Sequence, residues 1–105
     1  MPAYVIGQLD IFDRDAFQLY LDGFMPSFTR HGGQLLAVSA GETTVIEGSW
    51  GGPRTVVMRF PDRAAAEAWH ADPEYRELTK LRHAAARTNL AIVDGLDVPI
   101  PEDGA

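Results

Sequence analysis

Residues 4–11 read YVIGQLDI, a run of β-branched and compact side chains that is typical of a β-strand. Because side chains alternate along a strand, Val5 and Leu9 share one face while Tyr4 and Ile6 share the other. Both faces are therefore apolar, and such a strand requires cover on both sides. We expect helices of the same chain to cover one face and the sheet of a second copy to cover the other.

A helix is predicted directly after this strand. Asp13 can cap its first turn, and the pair Gly32-Gly33 can end it, since glycine readily adopts the left-handed conformation. Pro26 lies within the helix and should kink or split it. The inward face is an aromatic-rich stripe at helical spacing, made of Phe17, Tyr20, Leu21, Phe24 and Phe28.

The remaining elements follow from turn residues and apolar runs. Strands are predicted over residues 34–39, 43–47, 55–60 and 90–93, the second as the arm of a hairpin. Helices are predicted over residues 63–70 and 73–87, the latter opened by Asp72-Pro73. This order indicates an α+β fold, a ferredoxin-like βαββαβ sandwich with an antiparallel sheet and helices on one face. Residues 1–95 form a single domain, and residues 96–105 form an acidic, proline-containing tail.

Composition excludes several classes of function. The formal net charge of −6 argues against nucleic acid as a partner, because phosphate binding requires a positive surface. No apolar run approaches the roughly 20 residues that span a bilayer, and no basic, apolar leader precedes the first strand, so we expect a cytoplasmic protein without a membrane partner. The chain has no cysteine, and its histidines lack metal-ligand spacing, so no metal site is expected.

One stretch resembles a known family. The pattern Ala-x-x-Trp-x-x-x-Pro-Glu-Tyr followed by six residues and Arg runs from Ala66 to Arg82 and, with Gly32-Gly33 and Phe60-Pro61, resembles the "domain of unknown function 1330" family. The resemblance implies a dimeric α+β barrel, in which two ferredoxin-like subunits press their sheets together. Related families include cofactor-free monooxygenases and stress-response proteins, so the resemblance implies fold and homodimer but no reaction and no cofactor.

Two residues are candidates for catalysis. Arg82 lies on an apolar stripe of the last helix, where a guanidinium must be paired or must reach an open pocket. It would bind a carboxylate or enolate of a small ligand, or alternatively pair with Glu47 or Asp10 and fasten helix to sheet. His31 could act as a general base, or it could simply be a histidine favoured at the carboxyl end of a helix.

Five residues are candidates for ligand binding. Tyr20 and Tyr75 lie on inward-facing stripes and could orient a substrate oxygen, although buried tyrosines are often core residues. Trp69 is a core residue or a pocket wall. Glu47 and Arg54 flank a glycine-rich loop and could pair across it or line the mouth of a cleft.

Two functions are compatible with these residues. In the first, a small-molecule-binding homodimer, which could be a cofactor-free enzyme, uses a pocket between sheet and helices. In the second, a non-catalytic structural or stress-associated dimer has a filled core, and a cavity below roughly 300 Å³ would favour it.

Overall fold

The structure, a computed structural model, describes residues 1–96 and contains one four-stranded sheet in the order β2-β3-β1-β4. The strands are β1 (Ala3–Ile11), β2 (Gln34–Val38), β3 (Arg54–Phe60) and β4 (Ala86–Asp94). All three pairings are antiparallel, and β1 lies between β3 and β4. The predicted α+β architecture and its βαββαβ order are confirmed.

The two faces of β1 have different surroundings. Val5 and Leu9 are buried under the helices, whereas Tyr4 and Ile6 lie on the opposite side, which no helix of residues 1–96 covers. Ile6 is directly opposite Val57, and Tyr4 is directly opposite Val93. We call this uncovered side, with Tyr4, Ile6, Val57 and Val93, the open face of the sheet.

Four helices cover the other side of the sheet. They are α1 (Arg14–Asp22), α2 (Phe24–Arg30), α3 (Arg63–Ala71) and α4 (Pro73–Ala85). Asp13, Asp62 and Asp72 each accept a hydrogen bond from a backbone N–H in the first turn of the helix that follows. The apolar sides of these four helices meet the sheet in a core rich in aromatic rings, which includes Phe24, Phe28, Phe60, Trp69 and Tyr75.

The first predicted helix is broken at Gly23, and not at Pro26. A Cβ atom at Gly23 would lie 2.7 Å from Leu78 Cδ2, so α4 approaches the backbone closely at this point. Pro26 is the third residue of α2, where an N–H group would have no partner within the helix. The proline is therefore accommodated, and the break allows Phe24 and Phe28 to continue the aromatic stripe into the core.

Residues 43–47 do not form the predicted strand. Thr43 donates a backbone hydrogen bond to Pro53 at 2.7 Å, and beyond it the segment has no neighbouring strand among residues 1–96 to pair with. Ile46 is 94% exposed. The backbone N–H of Gly51 donates to Oε1 of Gln8, so the far end of this long loop is attached to β1.

The boundary between α4 and β4 lies earlier than predicted. The helix ends at Ala85, and Ala86 is already extended and pairs with Ile11. Pairing with β1 along all nine residues of β4 outweighs helix propensity at residues 86 and 87. Gly95 then donates a backbone hydrogen bond to Pro2 at 2.8 Å. Of the predicted tail, residues 97–105 lie outside the described residues.

Across residues 1–96, none of the helices has the length and apolar character needed to cross a bilayer.

Asp72 joins α2 to α4. Its Oδ1 accepts from the backbone N–H of Glu74, while Oδ2 accepts from Arg30 Nη2 and from His31 Nε2, both at 2.7 Å. The hydrogen bond from Arg30, and next that from His31, hold the pKa of the Asp72 carboxyl well below its usual range. The ionised carboxylate is thus favoured by folding.

The change Asp72→Asn should destabilise the protein at neutral pH, and the effect should shrink in acid. Because the folded-state pKa is below the unfolded one, the stability lent by Asp72 is complete above the ordinary carboxyl pKa of 3.8. It is lost as the pH falls from there through the lower folded-state value. Urea unfolding of both proteins between pH 7 and pH 2 measures this difference.

Asp62→Asn is the matched control, because Asp62 caps α3 yet forms no ion pair within residues 1–96. The Asp72→Asn change would contradict a stabilising role of the ionised carboxylate if it lowered the free energy of unfolding by the same amount as Asp62→Asn, or if its effect grew in acid.

Candidate functional site

A cavity of about 270 Å³ lies between the helix-covered side of the sheet and helices α1, α2 and α4. Most of its wall is apolar, contributed by Leu9, Phe17, Phe24, Val56, Met58 and Leu90. Its open side is formed by leucine and valine side chains that are partly in water, namely Leu21, Leu35 and Val38. The cavity is therefore an apolar recess with one exposed rim.

Three polar side chains from two helices meet in the wall of this cavity. The hydroxyl oxygens of Tyr20 and Tyr75 are 2.6 Å apart, and Arg82 Nη1 donates to the Tyr75 hydroxyl at 2.9 Å. The Arg82 guanidinium carbon also lies 5.6 Å from the centre of the Tyr20 ring, within the range of a cation–π contact. We call these residues the Arg82–Tyr75–Tyr20 chain.

Local sequence explains why the three residues meet. Tyr75 and Arg82 are seven residues apart on α4, which places them on one side of the helix. Tyr20 belongs to the aromatic stripe of α1, which faces α4 across the cavity. Trp69 of α3 packs against Tyr75 with ring centres 4.2 Å apart, so the tyrosine is held by the core.

Both tyrosines are un-ionised donors at physiological pH. Burial, and then the proximity of Tyr75, raise the pKa of Tyr20 far above its ordinary value. Burial raises the pKa of Tyr75 as well, despite the opposing charge of Arg82. Neither phenol is thus an available base.

A count of protons shows which hydrogen-bond donor the Arg82–Tyr75–Tyr20 chain can offer a ligand. Arg82 spends one N–H on the Tyr75 oxygen, and the bond between the two phenols uses one of their two protons. One phenolic O–H is left without a protein acceptor in the hydrogen bonds of residues 1–96. It is available to an oxygen atom inside the cavity.

Arg82 is 4% exposed and forms no ion pair with an acidic residue among residues 1–96. The alternative prediction, in which it pairs with Glu47 or Asp10, is wrong. Glu47 is exposed in the loop that follows β2, and Asp10 belongs to the other side of β1. The Arg82 guanidinium is thus buried beside two phenols and an apolar wall, and no acidic residue among residues 1–96 balances its charge.

Two other predicted residues lie at or behind the cavity wall. Arg54, at the start of β3, lines the cavity and donates from Nη1 to the backbone carbonyl of Ser39. Trp69 does not line it: the ring is 1% exposed and forms part of the core, beside a smaller recess of about 120 Å³. Its predicted role in ligand binding stays a prediction, and its observed contacts are structural.

His31 and Glu47 lie away from the cavity. His31 follows α2 and hydrogen-bonds to Asp72, so its imidazole is not among the groups that line the cavity. Glu47 is exposed and does not line it either. A catalytic role for His31 and a binding role for Glu47 therefore gain no support from the geometry.

Thr88 lines the cavity and was missed in the sequence analysis. Its hydroxyl is buried and has no hydrogen-bond partner within residues 1–96, and the same is true of Arg82 Nε. The predicted helix ran to residue 87 and the next strand began at residue 90, which left Thr88 between elements. Its position opposite Leu9 in the β1–β4 register was the missing information.

Among residues 1–96, histidine, aspartate and glutamate side chains nowhere gather in groups of three or more that could hold a metal ion.

Solved structures with the same fold include proteins of different descriptions. A protein of unknown function from Rhodopseudomonas palustris is 22% identical, with a TM-score of 0.74 over 92% of this chain and 84% of that one. SnoaB, described as a cofactor-independent oxygenase from Streptomyces nogalater, is 9% identical, with a TM-score of 0.64 over 92% and 95%. A dimeric protein of unknown function and ferredoxin-like fold from Bacteroides fragilis is 9% identical, with a TM-score of 0.52 over 90% and 96%.

These similarities confirm the ferredoxin-like fold and carry no activity to this chain, because identity is low. No curated protein matches the chain. The family described as Domain of unknown function (DUF1330) matches residues 2–96, nearly all of the sequence. The chain therefore belongs to the DUF1330 family, as its sequence pattern predicted.

Proposed function

We propose that this protein is a homodimer that binds a small organic molecule in the cavity between its sheet and its helices. The observation that carries the proposal is the state of Arg82, which is buried in the cavity wall without a carboxylate partner among residues 1–96. Burying a charge without a partner is costly, and a binding site is a common reason for keeping one. The cytoplasmic location expected from the sequence stays a prediction.

The size of the cavity has to be weighed against this charge. At about 270 Å³ it falls slightly below the roughly 300 Å³ at which ligand pockets usually begin. Volume alone therefore favours the alternative of a non-catalytic dimer with a filled core. In that alternative, however, the fixed charge of Arg82 would destabilise the fold without serving a ligand, so we favour the binding function.

The homodimer is supported by the open face of the sheet. This face carries a patch of mainly apolar side chains, and no helix of residues 1–96 covers it. The patch consists of Tyr4, Ile6, Val57 and Val93. A second copy would present the same patch, and two such faces can bury each other around a twofold axis. The similar ferredoxin-like protein from Bacteroides fragilis is described as dimeric.

A cofactor-free enzyme is the further possibility within this proposal. The Arg82–Tyr75–Tyr20 chain supplies donors that could stabilise negative charge on an oxygen atom. The side chains that line the cavity include no histidine, aspartate or glutamate among the described residues. The site is therefore equipped to stabilise an anion, and a substrate carbon acid would have to lose its proton without a base from this wall.

The first test concerns Arg82 in the ligand-free protein. Arg82→Met keeps much of the side-chain volume, removes the charge and leaves the two tyrosines hydrogen-bonded to each other. We expect the free energy of unfolding to rise by about 1–3 kcal/mol, because an uncompensated buried charge is removed. Urea unfolding at one fixed protein concentration measures the change.

Arg76→Met is the control, because Arg76 is exposed on the same helix and should change stability little. A loss of about 3 kcal/mol or more in Arg82→Met, as when one member of a buried pair is removed, would favour the structural alternative instead.

The second test concerns access to the cavity. Leu21→Trp should block the open side, since Leu21 lines the cavity and is 45% exposed. We expect small aromatic fragments that give saturation-transfer NMR signals with the wild-type protein to lose most of that signal. Leu19→Trp, at a 56% exposed leucine of the same helix that does not line the cavity, should leave the signal unchanged. Equal signals in both variants would refute binding in this cavity.

The third test concerns the dimer. Sedimentation equilibrium at micromolar concentration should give the mass of two chains. Ile6→Lys places a charge on the open face and, through symmetry, a like charge opposite it, so this variant should sediment as a monomer. Leu19→Lys on the exposed side of α1 should remain dimeric. A monomeric wild-type protein would overturn the dimer.

A further inference from the structure

We propose that the ligand of the cavity is an organic monocarboxylate, whose carboxylate binds between Arg82 and Thr88 while its apolar body lies against the aliphatic and aromatic wall. This inference rests on the proposed function, because it assumes that the cavity binds a small molecule. It narrows the carboxylate or enolate expected at Arg82 to a carboxylate, and it adds a binding residue, Thr88, that the sequence did not point to.

The unused edge of the Arg82 guanidinium is the first observation. Of its nitrogens, Nη1 donates to Tyr75, whereas Nε is buried and has no partner, and no hydrogen bond from Nη2 is formed within residues 1–96. A guanidinium presents its N–H groups as a planar fork, and two parallel N–H groups match the two oxygens of a carboxylate. The geometry thus favours a two-oxygen anion over a single oxygen.

The second observation is the hydroxyl of Thr88. It is buried without a hydrogen-bond partner, and Thr88 lines the same cavity as Arg82. Arg82 is in the last turn of α4, and Thr88 follows shortly after on β4, so a helix and a strand bring two unsatisfied polar groups to one cavity. A buried polar group without a partner destabilises the protein, and a hydrogen bond to a ligand oxygen would remove that cost.

The third observation is the spare phenolic proton of the Arg82–Tyr75–Tyr20 chain. Together with Arg82 Nε and the Thr88 hydroxyl, it makes three different donors in the wall of one cavity. A carboxylate has two oxygens and about four lone-pair positions, so it can accept from all three. A neutral amide or alcohol of similar size would present its own donors to this set and leave some of them unpaired.

The charge of the ligand follows from the rest of the wall. The described lining residues contain no acid and no histidine, so a ligand must arrive already ionised, as a carboxylic acid does at neutral pH. Arg54 also lines the cavity, but it is only half-buried and donates to the backbone carbonyl of Ser39. Its charge is therefore stabilised by water and by that carbonyl. The single buried guanidinium is thus best matched by a ligand that has one negative charge attached to an apolar body.

The experiment compares carboxylates with amides of the same shape. Benzoate, 2-naphthoate and octanoate would each be titrated into the full-length protein beside the corresponding amide, with calorimetry as the readout. We expect at least one carboxylate to bind about tenfold or more tightly than its amide, because a hydrogen-bonded buried charge pair distinguishes the two.

Variants assign this preference to the two residues. Arg82→Met should abolish the preference for carboxylate over amide, and Thr88→Val should reduce it by about threefold to tenfold. Thr79→Val is the matched control, because Thr79 is a buried threonine whose hydroxyl donates to the Arg76 carbonyl and which does not line the cavity. The preference ratio is a readout that a loss of stability alone would not move.

The outcomes separate this inference from the function on which it rests. Amides that bind as tightly as the carboxylates, or carboxylates that bind equally well to Arg82→Met, would overturn the carboxylate assignment. If neutral fragments still lose binding in Leu21→Trp, the binding function itself survives. If neither carboxylates nor neutral fragments bind the wild-type protein, both are refuted.

Discussion

The guanidinium of Arg82 lies between α4 and the sheet, with one hydrogen bond to Tyr75 and a position over the ring of Tyr20. Removing such a group from water costs several kcal/mol, and two neutral phenols compensate only part of it. The surrounding rings supply rigidity instead: Trp69 packs on Tyr75, and Phe24 packs edge-to-face against both. The aromatic core therefore fixes the position of the charge, and the cavity is the space left beside it.

Much of the fold could be predicted because its signals are local. The alternation in β1 identified two apolar faces, and Asp13 and Asp72 marked two helix starts correctly. The errors have a common cause in tertiary contact. The break at Gly23 depends on the approach of Leu78. Residues 43–47 have strand-like composition but no neighbouring strand, and a strand is stable only when it is paired.

The site could be predicted only where one helix determines it. Arg82 was expected on the apolar stripe of the last helix, and Tyr20 and Tyr75 were expected on inward-facing stripes, because helical spacing alone identifies such stripes. The location of Thr88 in the cavity wall depends on the register between β1 and β4, which no local sequence pattern reveals. His31 lies outside the cavity for the opposite reason: its local position was predicted, but a hydrogen bond to Asp72, at the start of another helix, holds its imidazole away from the cavity.

The buried charge also connects the proposed binding site to the proposed dimer. A guanidinium with no acidic partner among residues 1–96 destabilises the free protein. Under the proposed function the same charge would strengthen binding of an anion, so Arg82 would shift free energy from folding to binding. A domain of this size buries only about two-thirds of its surface and is stable by a few kcal/mol. A cavity and an unpaired charge in such a domain require stabilisation from another source. Burial of Ile6 and Val57 on the open face against a second copy would supply it, on the side of the sheet opposite the ligand. Association would then be what allows so small a chain to keep a charged, partly empty site.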